Sequence, residues 1–217
     1  MQERPVEQGL YDIQNEHDAC GIGFVAHIKG KPSHEIVQRG LEVLRNMEHR
    51  GAEGADNKTG DGAGILLQMP HSFFAKKCKG LPELGKYGTG LVFLPQDKKN
   101  AEECVNTLEK IVQGEGFEVI SWRDIPTNDK ALGKIAKAAE PKIKQIFVKP
   151  LKSLAQDVLE RKLYVIRKYS ERVIRESKLA QKKAFYLPSL SSRIFVYKGM
   201  LQPDQVHQYF TELDDKA

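Results

Sequence analysis

A mostly apolar run at residues 20–28 opens abruptly on Cys20, after nineteen residues that carry Pro5, Gly9, several charges and little apolar content. The run is too short and too apolar for a surface helix. Its length is that of a strand buried in a sheet, and Gly21 and Gly23 mark a backbone that must pass close to something else. Residues 1–19 read as an extended lead-in. A buried strand needs neighbouring strands as its partners.

Those partners are legible in outline. Ile36, Val37, Leu41, Leu44 and Met47 recur at helical spacing over residues 33–49, with Ser33 placed to cap the start and Gly51 to stop the helix. Five glycines with Asp56 and Asp61 follow within residues 51–64, a tight loop, and residues 63–69 read as a second buried strand. Residues 90–94 form a further strand. A helix over 100–113 has Asn100 and Glu103 at capping-box spacing and Val105, Leu108 and Val112 inward, and residues 117–122 return as a strand. Residues 143–148 and 163–167 are expected as strands and 169–178 as a basic helix. Residues 184–187 and 193–197 are expected to pair around the turn at 188–192. The last stretch, 200–217, holds Pro203, an amphipathic patch of Val206, Tyr209, Phe210 and Leu213, and an acidic tip. It does not resemble a finished domain edge, so the chain is expected to be a piece of a larger domain.

Composition narrows the function classes. The formal net charge is +5 and 29% of residues are charged, with the basic residues scattered rather than gathered into an aromatic-laced stripe, which argues against nucleic acid as the partner. The three cysteines, Cys20, Cys78 and Cys104, form no CxxC pair, as in a reducing compartment. No apolar run approaches a membrane span and the acid-containing start is not a secretory signal, so a cytoplasmic protein with no membrane partner is expected. Gly60-Asp61-Gly62-Ala63-Gly64 lacks the Lys-Ser/Thr of a phosphate-binding loop. His34-Glu35 begins a zinc-protease string that fails at Gln38, and the six histidines make no metal pair with a cysteine. No GxSxG elbow is present. One anomaly remains, a cysteine heading a glycine-rich strand directly after a polar lead-in. On the residues alone Cys20 stands between a small buried hydrophobe, the usual fate of free cysteine, and a nucleophile.

Longer strings bear on that choice. Gly9-Leu10-Tyr11-Asp12 and Glu16-His17-Asp18-Ala19-Cys20-Gly21-Ile22-Gly23-Phe24-Val25-Ala26 are similar to the start of the glutamate synthase large chain. So are Asn46-Met47-Glu48-His49-Arg50-Gly51-Ala52, Gly54-Ala55-Asp56, Thr59-Gly60-Asp61-Gly62-Ala63-Gly64-Ile65, Arg161 through Lys168, and Ser189 through Leu201. The resemblance runs in order along nearly the whole chain. It points to the class II glutamine amidotransferases, which share the N-terminal-nucleophile hydrolase fold.

The resemblance implies an α+β, four-layer αββα sandwich, incomplete here, in which residues 1–19 are a propeptide and residues 20–217 the first portion of the amidotransferase domain. It implies that cleavage of the Ala19–Cys20 bond leaves Cys20 as the nucleophile. A thiol of pKa about 8.5 is mostly protonated at neutral pH, whereas an α-amine of pKa about 7.7–8.0 can accept its proton, so one residue supplies nucleophile and base. Arg50 is expected to line the Cys20 pocket, Gly21 and Gly23 to give the substrate close access to the backbone, and Asp56 and Asp61 to order the loop. L-Glutamine is the implied substrate, hydrolysed to glutamate and ammonia for reductive transfer to 2-oxoglutarate. The implied partners are the remainder of the synthase chain and a small electron-donating subunit or ferredoxin. FMN and an iron–sulfur cluster are implied for the complete enzyme only, with no cofactor and no metal in this segment. The Asn-Gly pair of the family's oxyanion hole is absent, which predicts a poor glutaminase from these residues alone. Two other readings are another class II amidotransferase, against which the long lead-in speaks, and a non-catalytic product that keeps the fold.

Overall fold

The helical stripe after Ser33 becomes α1 (His34–Asn46), with extended backbone at Ser33, Glu35 in the first turn and Arg45 in the last, each sign matching the helix dipole. A single 3-10 turn, Glu48–Arg50, carries the chain on to Gly51. The computed structural model describes residues 20–216, so the expected propeptide lies outside the described residues.

Then follow β1 (Ala63–Gln68), α2 (His71–Lys77), β2 (Gly88–Leu94), α3 (Lys98–Gly114), β3 (Phe117–Asp124), α4 (Lys134–Ala138), β4 (Lys142–Pro150), α5 (Gln156–Glu176), β5 (Ile194–Gly199) and α6 (Gln205–Tyr209). Two small antiparallel sheets result, β1–β5 and β2–β4–β3, so the β2–α3–β3 unit is split by β4 between its two strands. Alternation along the strands feeds two cores. Leu91 and Phe147 face a core shared with Phe74 of α2, Phe195 and Tyr197 of β5, and Val206 of α6. Val92, Leu94, Ile146 and Val148 face the other, covered by Cys104, Leu108 and Val112 of α3 and by Leu159, Leu163 and Ile166 of α5. Phe74 joins the two sheets, edge-on to Phe147 at 5.5 Å and to Phe195 at 4.9 Å between centroids. At Gly90 a Cβ would stand 1.9 Å from the Ser189 carbonyl oxygen, so only glycine lets the 189–192 loop close over β2.

Several expectations are corrected. Residues 163–167 are not a strand but the middle of α5. Leu163 and Ile166 are buried while Tyr164 and Val165 between them are exposed, and Leu159, Leu163, Ile166, Ser170 and Ile174 keep helical spacing throughout. Residues 184–187 and 193–197 do not pair with each other. Tyr186 bridges Phe93, Ser191 bridges Thr89, and β5 takes β1 as its partner. The α3 cap is Asp97, whose side chain accepts from the Asn100 amide at 2.8 Å, three residues before the expected box. The strand over 63–69 is half-buried rather than buried, with Leu66 59% exposed.

The largest departure is residues 20–28, which form no strand. Ile22, Phe24 and Ile28 are 92%, 90% and 103% exposed, and the segment enters no ladder with β1 or any other described strand. At Gly21 and Gly23 its backbone lies instead against Val43 of α1 and against Met47 and Arg50 just beyond that helix. The glycines explain this placement, because they expose backbone that seats on a helix without a ladder.

Candidate active site

Two glycines set how Cys20 meets the fold. A Cβ on Gly21 would stand 3.1 Å from Met47 Sδ and 3.3 Å from Arg50 Cβ, and one on Gly23 would stand 2.3 Å from Val43 Cγ1. Bare backbone is therefore the contacting surface, and Met47 and Val43 form its bed. Cys20 is exposed and precedes Gly21, which sits against Arg50 of the 3-10 turn. The 3-10 turn presents Arg50 through its own amide, which donates to the Met47 carbonyl at 2.8 Å. The Arg50 guanidinium makes no ion pair among the described residues, so its donors remain available to an anionic group. The structure thus sets Gly21 against Met47 and Arg50 and Gly23 against Val43, with Cys20 one residue before Gly21 in the chain.

The loop after Arg50 is held firmly. Gly54 donates to the Thr59 carbonyl at 2.7 Å, Asp61 to that of Ala52 at 3.0 Å, and Glu53 bridges Gly60. Asp56 anchors it. The carboxylate accepts from the Thr59 hydroxyl at 2.7 Å, the Thr59 amide at 2.8 Å and the Ile135 amide at 3.1 Å, while the Thr59 hydroxyl accepts from the Ala136 amide at 3.2 Å. Those bonds, the Thr59 hydroxyl first, hold the Asp56 carboxyl well below the usual carboxylate range. Asp56 therefore orders the loop and ties it to the start of α4. Asp61 Oδ1 lies 3.5 Å from where a Gly51 Cβ would stand, beside the turn that carries Arg50.

Two features had no local sequence signal. The first is a buried polar network. Arg123 donates to both Glu212 oxygens at 2.8 and 2.9 Å and to Gln145 Oε1 at 2.6 Å, Gln145 donates to the Thr89 hydroxyl at 2.9 Å, and Tyr197 O–H donates to Glu212 at 2.6 Å. Burial, and next the Glu212 charge, push the Tyr197 phenol well above its ordinary value. The second is a cleft of about 530 Å³ whose lining includes His34, Val37, His71, Phe73, Tyr197 and Leu213, and none of Cys20, Gly21, Gly23 or Arg50. His34 Nε2 is already engaged there, donating to the Leu213 carbonyl at 2.8 Å. Among the described residues no three His, Cys, Asp or Glu side chains gather to hold a metal ion, and no helix is long and apolar enough to cross a membrane. Cys78 and Cys104 are buried in separate cores.

Residues 20–217 match the model of the class II glutamine amidotransferases, and the chain belongs to that family. More particularly, it is 43% identical over 216 residues to the glutamate synthase [NADPH] large chain of Bacillus subtilis (strain 168), covering 98% of this chain and 14% of that protein. It is 42% identical over 221 residues to the chloroplastic ferredoxin-dependent glutamate synthase of Oryza sativa subsp. japonica, covering 99% of this chain and 14% of that one. With the glutamate synthase [NADH] of Schizosaccharomyces pombe it shares 39% identity over 223 residues, 97% of this chain and 10% of that one. The chain thus spans about 14% of the length of the first two relatives.

Proposed function

We propose that this chain is the glutamine-hydrolysing part of a glutamate synthase and that Cys20, freed as an N-terminus by cleavage of the Ala19–Cys20 bond, is its nucleophile. The observation that carries this reading is the coincidence of the family match, which begins at Cys20, with the seating of Gly21 against Arg50. Residues 1–19 are then the propeptide, and residues 20–217 the first portion of a domain that completes a four-layer αββα sandwich in the whole enzyme.

In the proposed reaction the free α-amine of Cys20 takes the thiol proton, and Sγ attacks the side-chain amide carbon of L-glutamine. The C–N bond breaks, and the amine's proton goes to the departing nitrogen, which leaves as ammonia. Water then attacks the glutamyl thioester, the C–S bond breaks, and glutamate and the starting thiol are restored. Arg50 orients Cys20 or the substrate through its unengaged donors, and the Gly21 and Gly23 backbone lets glutamine approach. In the complete enzyme the ammonia passes to 2-oxoglutarate under reduction. A flavin and an iron–sulfur cluster for that step belong to other parts of the enzyme. Cys78 and Cys104 lie in separate cores and cannot join Cys20 around a cluster. The named relatives carry NADPH, ferredoxin and NADH in their names, which supports a small electron-donating subunit or ferredoxin as the partner of the complete enzyme.

The test is glutamine hydrolysis by the full-length enzyme carrying Cys20→Ala or Cys20→Ser. Loss of ammonia release with retained synthase activity on added ammonia supports the reading. Unchanged glutamine turnover in both variants refutes it.

A further inference from the structure

The face of α5 turned away from the core has an unusual make-up. Leu159, Leu163, Ile166 and Ile174 fasten the helix to its core. At about 100° per residue, Arg161, Lys168 and Arg172 fall within about 40° of one another on the opposite side, with Tyr164 and Arg175 on one flank and Val165 and Tyr169 on the other. Tyr164, Val165 and Tyr169 are 58%, 43% and 50% exposed, three large side chains on one continuous strip of a well-anchored helix. The cations outnumber the acids on this strip. Lys168 is paired with Glu171 at 3.0 Å and Arg172 with Glu176 at 3.1 Å, while Arg161 and Arg175 make no ion pair among the described residues. Arg167, about 120° from the centre of the strip, lies toward the core side and is paired with Glu171 at 4.0 Å.

We propose that the outward face of α5 is a docking surface for an acidic segment of another protein chain that also carries an apolar or aromatic side chain. Charge complementarity selects the acidic partner, with Arg161 and Arg175 supplying the unengaged donors. Exposed tyrosines alternating with arginines have the composition of protein interface centres. Nucleic acid is the weaker fit, because two of the central cations already hold carboxylates on their own helix and Val165 has nothing to offer a phosphate chain.

The probe is a random glutamate–tyrosine copolymer, titrated against the purified full-length enzyme at physiological salt, with poly-L-glutamate and oligouridylate run beside it. The expected result is copolymer binding that weakens at least about tenfold in Arg161→Glu/Arg175→Glu and again in Tyr164→Ala/Tyr169→Ala, with Lys76→Glu unchanged. Thermal melts matched to the unaltered protein establish that each variant is folded, and Arg161→Gln/Arg175→Gln replaces the charge-reversed pair if its melt shifts. Unchanged binding in either α5 variant, an equal loss in Lys76→Glu, poly-L-glutamate binding as tightly as the copolymer, or tighter oligouridylate binding through the same residues overturns the proposal.

Discussion

Replacing Arg123 by methionine removes the cation from a carboxylate that has nowhere else to turn. The Glu212 side chain is 3% exposed and Arg123 is 16% exposed, with both Glu212 oxygens held by the guanidinium at 2.8 and 2.9 Å. What remains for Glu212 is the Tyr197 hydroxyl, while Gln145 loses its 2.6 Å donor and Phe73 and Phe74 lose a guanidinium whose carbon lies 5.8 and 5.9 Å from their ring centres. Breaking a buried pair in this way costs roughly 3–5 kcal/mol, a large fraction of a domain's total stability of about 5–15 kcal/mol. At this chain length that corresponds to a fall in Tm of roughly 6–20 °C. The assay is urea unfolding followed by the fluorescence of Trp122, the single tryptophan, whose indole N–H donates to Glu109 at 2.7 Å. The midpoint should drop with the slope unchanged. The double variant Arg123→Met/Glu212→Leu should recover part of the loss, because it removes the stranded charge and leaves only neutral groups, the Tyr197 hydroxyl and the Gln145 carbonyl, without their partners. A loss under about 1 kcal/mol in Arg123→Met, or a double variant worse than the single, would refute the view that this pair is buried and mutually dependent.

Two further outcomes follow from the site and its supports. In the native protein at pH 8 a small alkylating reagent should modify Cys20 alone, since Cys78 and Cys104 are buried and burial pushes the Cys104 thiol up to about 11. Peptide mapping that finds a second thiol reacting at a comparable rate contradicts this packing. Asp56→Asn should make stability less acid-sensitive. The folded carboxyl is depressed, so its contribution is present above the unfolded pKa of about 4 and is lost as pH falls below that value toward the folded one. Melts of the two proteins should therefore converge as pH drops below about 4, and a gap that stays constant down to the acid limit excludes the Asp56–Thr59–Ile135 linkage as its source.

How much of this was legible depended on the range of the interaction that decides each element. α1 and α3 could be read because apolar spacing and flanking caps are local, and even the missed Asp97 cap lies three residues from the expected one. Residues 163–167 were misread because Tyr164 and Val165 look like strand residues when taken with their neighbours, and only the pattern extended to Leu159 and Ile174 restores the helical period. The partner of β5 was not legible, because β1 lies far back in the chain and the nearer candidate at 184–187 is diverted to Phe93. Arg123 and Glu212 are 89 residues apart, and the Asp56–Ile135 bond spans 79, so neither the buried network nor the bolt on the loop has a sequence signature. Cys20 stood out because the texture changes at that residue, and Arg50 because it lies in the turn after a helix. The seating of Gly21 against Arg50 is a fact of packing alone.

Intact-mass analysis of the mature full-length enzyme, before and after treatment with a glutamine-analogue electrophile, tests the central claim most directly. The account predicts a polypeptide beginning at Cys20, lighter by residues 1–19, with a single adduct on that N-terminal residue. An active enzyme that retains Met1, or that carries its adduct elsewhere while Cys20 stays unmodified, would contradict it.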